Sequence, residues 1–304
     1  MEKFEICILG CGSALPTTKR FTSAQVVNVR EKLFLVDCGE GTQLQLRKMK
    51  LNFNKLNHVF ISHLHGDHCF GLPGLVSTLG MLGRKGELVI HAQPDAEKVF
   101  RPVLNYFCRE SDFRVRFESF NSNSHSVIYE DKSVKISTLP LKHKVPSAGF
   151  LFEEQPCPNH LIPEMVAFYQ IPVHCLKDIK NGADFVTVAG ERIDNSRLTR
   201  PPEKPRKYAY CSDTAYSEKI IPWIEGVDLL YHEATFCVAD LARAKETYHS
   251  SASQAAEIAL KANVQQLMLG HFSARYSDVN QLLKEARSIF PNTIVATEEM
   301  VVRY

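Results

Sequence analysis

The chain has 304 residues, 44% hydrophobic and 23% charged, the make-up of a globular protein long enough to bury a sizeable core. A net charge of +2 excludes a globally basic nucleic-acid coat, so any RNA-binding surface has to be local. No apolar run approaches the roughly 18 residues of a membrane span, the start reads as a strand instead of a secretion signal, and the nine scattered cysteines without a CxxC pair point to the reducing cytoplasm. Cys7, Cys38 and Cys211 sit in apolar runs and read as small core residues.

Strands are predicted over KFEICILG, SAQVVNV and KLFLVDCG, followed by a short helix, TQLQLRKM, after Gly39 and Gly41. NHVFISH is the next strand, LPGLVSTLGML a helix, ELVIHA a strand and AEKVFRPVLNYF a helix. FRVRFESF, SVIYED, VKISTLPLKH and SAGFLFEE continue as strands. Between Gln155 and Lys207 prolines and polar residues break the pattern, so 155–207 is expected to be an inserted arm, without a core of its own, within one domain spanning 1–304. Beyond it KYAYCSD, DLLYHEAT and QQLMLGH are strands, SASQAAEIALKA and DVNQLLKEARSIF helices, and TIVATEEMVVRY a last strand. This order suits an α/β fold of two sheets flanked by helices.

Chemistry concentrates in FISHLHGDHCF, where His63, His65, Asp67 and His68 fall within six residues at the end of a strand. In extended chain His63 and His65 project from the same side. Gly66 is expected to allow a sharp turn that brings Asp67 and His68 in from a second direction. Neutral imidazole and carboxylate suit zinc and similar divalent ions. Four ligands on one turn cannot complete two sites, and His143, Asp213 and His271 each follow an apolar run as further candidates. A carboxylate such as Asp213 can bridge two ions through its two oxygens, the arrangement of a metal-dependent hydrolase acting on a phosphate or a carbonyl.

HLHGDH followed by a distant His, Asp and His resembles the metallo-β-lactamase superfamily. GCGSALP, DCGEGTQ, SAGF, CSDT, YHEATF, HSS and SARY narrow the resemblance to the short form of ribonuclease Z, the tRNA 3′-processing endoribonuclease, nearly end to end. The resemblance implies an αββα sandwich with an inserted flexible arm, and two Zn2+ per chain, with Mn2+ as the alternative ion. His63, His65 and His143 would hold one ion, Asp67, His68 and His271 the other, with Asp213 between them and Asp67 also accepting a proton from the attacking water. It further implies a cytoplasmic homodimer that cuts precursor tRNA after the discriminator nucleotide, leaving a tRNA 3′-OH and a trailer 5′-phosphate.

Glu233 and His249 form a second group. A carboxylate that orients an imidazole serves acid–base work, although the same residues also read as a surface turn with His249 capping the next helix. The resemblance places the pair at the scissile phosphate or leaving oxygen. Arg275 and Tyr276 stand beyond His271, and Thr17, Lys19 and Arg20 in the first loop offer hydroxyl and cations, all candidates for phosphate contacts. Phe21 follows Arg20 where the family often has Asn, and Ile171-Pro172 stands where its arm often has Gly-Pro. Lys177, Lys180, Arg197, Arg200, Lys204, Arg206 and Lys207 form a basic set expected to bind tRNA phosphates through the arm.

Overall fold

Alternating apolar residues sort themselves onto two faces along each strand, and the sheets stack accordingly. The structure, a computed structural model, describes residues 4–109 and 111–304. The first sheet uses β1 (Phe4–Gly10), β2 (Ala24–Val29), β3 (Lys32–Val36), β4 (Leu56–Phe60), β5 (Leu88–Ala92) and β6 (Val115–Ser119). The second begins with β7 (Val127–Glu130), β8 (Val134–Pro140) and β9 (Ala148–Glu154). Four two-residue strands follow within the insert: β10 (His160–Leu161), β11 (Phe185–Val186), β12 (Arg192–Ile193) and β13 (Thr199–Arg200). The second sheet then resumes with β14 (Lys207–Cys211), β15 (Leu229–Glu233), β16 (Gln266–Gly270) and β17 (Thr293–Val295), and β18 (Val301–Arg303) returns to the first. The strand orders are β18-β1-β2-β3-β4-β5-β6 and β17-β16-β15-β14-β9-β8-β7.

On β1, Ile6 and Ile8 pack with Phe150, Phe152, Tyr208 and Tyr210 of the other sheet, forming the central layer. Cys7 and Leu9 on the opposite face pack with Leu75, Leu79, Phe100 and Leu104 of the outer helices Leu72–Met81 and Asp95–Phe107. The helices Ala252–Lys261 and Asn280–Arg287 supply Ala255, Ile258 and Leu282 on the second sheet's side. The molecule is therefore an αββα sandwich, and a one-residue register slip in β1 would exchange its two buried faces.

Strands β14, β15 and β16 run parallel. Their carboxyl ends consequently open at one edge, the usual place for a site in parallel α/β sheets. Two local expectations change. VKISTLPLKH stops as a strand at Pro140, which leaves His143 in the loop beyond. TIVATEEMVVRY forms two strands on different sheets, because Glu299 turns the chain with a left-handed φ of 67°. The turn expected at Gly66 is the start of the helix Gly66–Cys69, which carries Asp67 and His68, and a Cβ on Gly66 would come 2.3 Å from the Phe70 ring.

Residues Glu154–Pro205 form a compact unit of their own. Contrary to the sequence expectation, this insert has a small core: Ile171, Ile179, Phe185, Ile193 and Leu198. The apolar residues are spaced by turns and prolines instead of by a helix or strand period, which hides them from pattern reading. Lys177, Lys180, Arg197, Arg200 and Lys204 are exposed on the insert. Lys207 and Arg206 belong to the main unit, where they pair with Glu153 at 3.0 Å and Asp228 at 3.4 Å.

Candidate metal centre

Two constellations meet at the edge of the sandwich: His63, His65, His143 and Asp213 in one, Asp67, His68 and His271 in the other. The loop after β4 carries His63 and His65, whose Nε2 and Nδ1 are 3.0 Å apart. His143 Nε2 is 3.3 Å from the same His65 nitrogen. Asp67 and His68 stand on the short helix Gly66–Cys69. Asp67 Oδ2 lies 3.5 Å from His68 Nε2 and 3.4 Å from His271 Nε2.

Asp213 joins the sets. Its Oδ2 lies 3.6 Å from His63 Nε2 and 3.7 Å from His143 Nε2, while its Oδ1 is 3.1 Å from both His68 Nε2 and His271 Nε2. Donors about 2.05 Å from a tetrahedral ion are separated by roughly 3.3 Å, so both sets have the spacing of ligands sharing an ion. His271 takes a left-handed φ of 56°, an unfavourable conformation for a non-glycine residue and one that recurs at functional sites.

The ring nitrogens turned away from the centre are, among the described residues, all anchored except that of His65. His68 Nδ1 donates to Asp37 at 2.7 Å, and His63 Nδ1 donates to Ser62 Oγ at 3.1 Å. His143 Nδ1 donates to the Tyr248 carbonyl at 3.1 Å, and His271 Nδ1 to Thr235 Oγ1 at 3.0 Å. Such partners fix the tautomer and leave the facing nitrogen's lone pair free for a metal. Burial lowers the pKa of His63, His65 and His143 and so favours their neutral, ligating form. For Asp213 burial acts to raise the pKa, but His271, His68 and His63 around it bring the carboxyl well below its usual range.

Asp37 and Thr235 escaped the sequence reading. Asp37, fully buried with a φ of 57°, accepts from Ser62 N, Ser62 Oγ and Tyr210 OH as well as His68. Thr235 Oγ1 donates to Glu233 at 2.6 Å while accepting from His271. A buried charge directly after an apolar strand was the available signal for Asp37; nothing local marks Thr235.

Glu233 is fully buried and accepts from Thr214 N, Ser250 N and His249 Nδ1, the last at 2.9 Å. His249 Nε2 faces the centre, 3.9 Å from Asp213 Oδ2. Burial opposes charge on His249, yet the adjoining Glu233 carboxylate raises its pKa to about 9. The capping role falls to Ser251, whose hydroxyl accepts from Gln254 N in a capping box. Arg275 and Tyr276 are engaged within the protein: the guanidinium pairs with Asp240 at 3.1 Å, and the phenol donates to the same carboxylate. Arg20 reaches the Tyr276 carbonyl at 2.8 Å, while Thr17 Oγ1 accepts from the backbone N–H groups of Lys19 and Arg20 and so shapes their loop.

The chain is similar to known proteins along its whole length. A protein from Bacteroides fragilis called Ribonuclease Z is 59% identical over 302 residues, covering 99% of each chain. Its namesake from Parabacteroides distasonis is 58% identical over 300 residues, again covering 99% of each. The crystal structure of the short form of human tRNase Z superposes with a TM-score of 0.70 at 24% identity, over 98% of both chains. The metallo-β-lactamase fold protein YhfI from Bacillus subtilis gives 0.71 at 19% identity over the whole of each chain. The family described as Anti-Pycsar protein Apyc1 matches residues 4–157, which include the His63 turn and His143 but end before Asp213.

Proposed function

This chain belongs to the ribonuclease Z family, and from that premise we propose a zinc-dependent endoribonuclease that removes the 3′ trailer from precursor tRNA. The split of Asp213, one oxygen toward each set of imidazoles, carries the two-ion reading. His63, His65 and His143 would hold one ion, and Asp67, His68 and His271 the other. Bound there, divalent cations would lower the pKa of water and neutralise charge developing on a phosphate.

The remaining work falls to the chain. Asp67 receives a hydrogen bond from Ala14 N at 2.7 Å and, as a carboxylate, can accept a proton from the attacking water. Glu233 holds Nδ1–H of His249, directing Nε2–H into the site. We assign His249 to protonate the 3′-oxygen as it leaves, which yields a tRNA 3′-OH and a trailer 5′-phosphate. The first loop with Thr17, Lys19 and Arg20, together with Arg275 and Tyr276, is assigned to phosphate contacts. The exposed cations of the insert are assigned to the body of the tRNA. The same reading makes the protein a cytoplasmic homodimer, for which light scattering should give twice the chain mass. No helix among the described residues is long and apolar enough to cross a membrane.

End mapping on a precursor tRNA tests the assignment. Cleavage should fall after the discriminator and disappear with Asp67→Ala. Turnover of a thioester but not of the precursor would overturn the substrate, and undiminished cutting by Asp67→Ala would remove that residue from its role.

A further inference from the structure

A cavity of about 740 Å³ opens beside His143, lined by Lys142, Lys144, Lys219, Tyr216 and Trp223. None of the three lysines has an ion-pair partner among the described residues, and all three are exposed. Like charges gathered around one cavity repel, and a bound anion relieves that repulsion. The aromatic wall is fixed in advance. His125 Nδ1 is tied to the Thr138 carbonyl at 2.6 Å, and its ring stacks on Trp223 at 5.1 Å with a 17° tilt. Trp223 remains 36% exposed. Tyr216 is held through its hydroxyl by Lys261 at 2.9 Å. Cations tracking a backbone beside rigid aromatic faces are the means by which proteins grip single-stranded nucleic acid.

Position decides which nucleotide. His249, assigned above to the leaving 3′-oxygen, lies on the same flank, its ring centroid 5.1 Å from that of His143. The loop carrying Ala14 touches Asp67, which belongs to the other set of ligands. The nucleotide whose 3′-oxygen leaves is therefore on the cavity's side of the site. We propose that this cavity receives the last, unpaired nucleotide of the mature tRNA, with its base against Trp223 and Tyr216 and its 5′-phosphate among Lys142, Lys144 and Lys219. The proposal rests on the nuclease reading and adds to it a base-contacting pocket.

The test compares a precursor tRNA with its discriminator base intact against the same precursor abasic at that position, using zinc-loaded full-length protein. Wild type should lose about tenfold in kcat/KM on the abasic precursor, the scale of one base–aromatic stack. Trp223→Ala should lose about as much on the intact precursor, with no further loss on the abasic one. Trp223→Phe should recover most of the difference, which separates stacking from misfolding. The exposed pair Lys142→Gln/Lys219→Gln should raise KM and lower the log–log salt slope by about one per lysine. Trp223→Ala keeping the full abasic penalty at wild-type rates would overturn the proposal. So would a penalty that follows trailer length and ignores the discriminator. Wild type leaving both precursors uncut would instead sink the nuclease reading, and the pocket with it.

Discussion

Asp213 links the two proposed ligand sets, since each of its oxygens faces a different pair of imidazoles. Asp213→Ala should therefore reduce bound zinc to less than one ion per chain, measured by atomic absorption after gel filtration, whereas loss of a peripheral ligand would affect one ion. A second residue-scale prediction concerns the buried pair away from the centre. His58 Nδ1 donates to His91 Nε2 at 3.1 Å, and His91 Nδ1 donates toward Glu118 at 3.3 Å. Burial, and then His58 beside it, pushes the His91 pKa down to about 3. Unfolded, the same imidazole binds a proton near pH 6.5. His91 thus favours the fold fully above that pH, and its contribution falls as pH drops toward about 3, a loss of about 2 kcal/mol by pH 5. Urea unfolding at pH 7 and pH 5 should register that decline, and His91→Phe should reduce it, leaving the part due to His58, whose pKa burial lowers to about 4.

Elements place these residues, and the placement depends on close approaches as much as on period. Gly270 ends β16 immediately before His271, and a Cβ there would lie 2.1 Å from the Tyr231 hydroxyl. Gly270→Ala should displace the strand end, lowering stability by about 1–3 kcal/mol and weakening zinc retention together; unchanged melting and metal content would refute this. Alternation in KFEICILG and KLFLVDCG made most of the strands legible, because one side of each faces the central layer and the other the outer helices. The proposed ligands could be picked out in the sequence because the His63 turn follows one apolar run and His143, Asp213 and His271 each follow another. Asp37 and Thr235 were not, since their partners, His68 and His271, lie far away in sequence. The division of TIVATEEMVVRY between two sheets was equally hidden: both halves are apolar enough for one strand, and only the turn at Glu299 separates them.

At the scale of the molecule, the insert and the sandwich are separate compact units with separate cores. If the insert serves tRNA alone, replacing Glu154–Pro205 with a short Gly/Ser linker should leave zinc binding and hydrolysis of a small chromogenic phosphodiester intact. The same change should abolish cleavage of precursor tRNA at physiological salt, where phosphate contacts dominate affinity. Zinc removal makes the complementary prediction. The proposed ligands are drawn from both sheets and are brought together only in the folded state, so chelation should lower the melting temperature, and added zinc should restore it. The same division of ligands sets an order in time during synthesis. The turn bearing His63 to His68 leaves the ribosome early, but the residue that closes the second set, His271, emerges only after β15 and the helix Ala252–Lys261. If these residues are the ligands, a nascent chain stays inert toward the RNA crowding its birthplace until its final parallel strands dock.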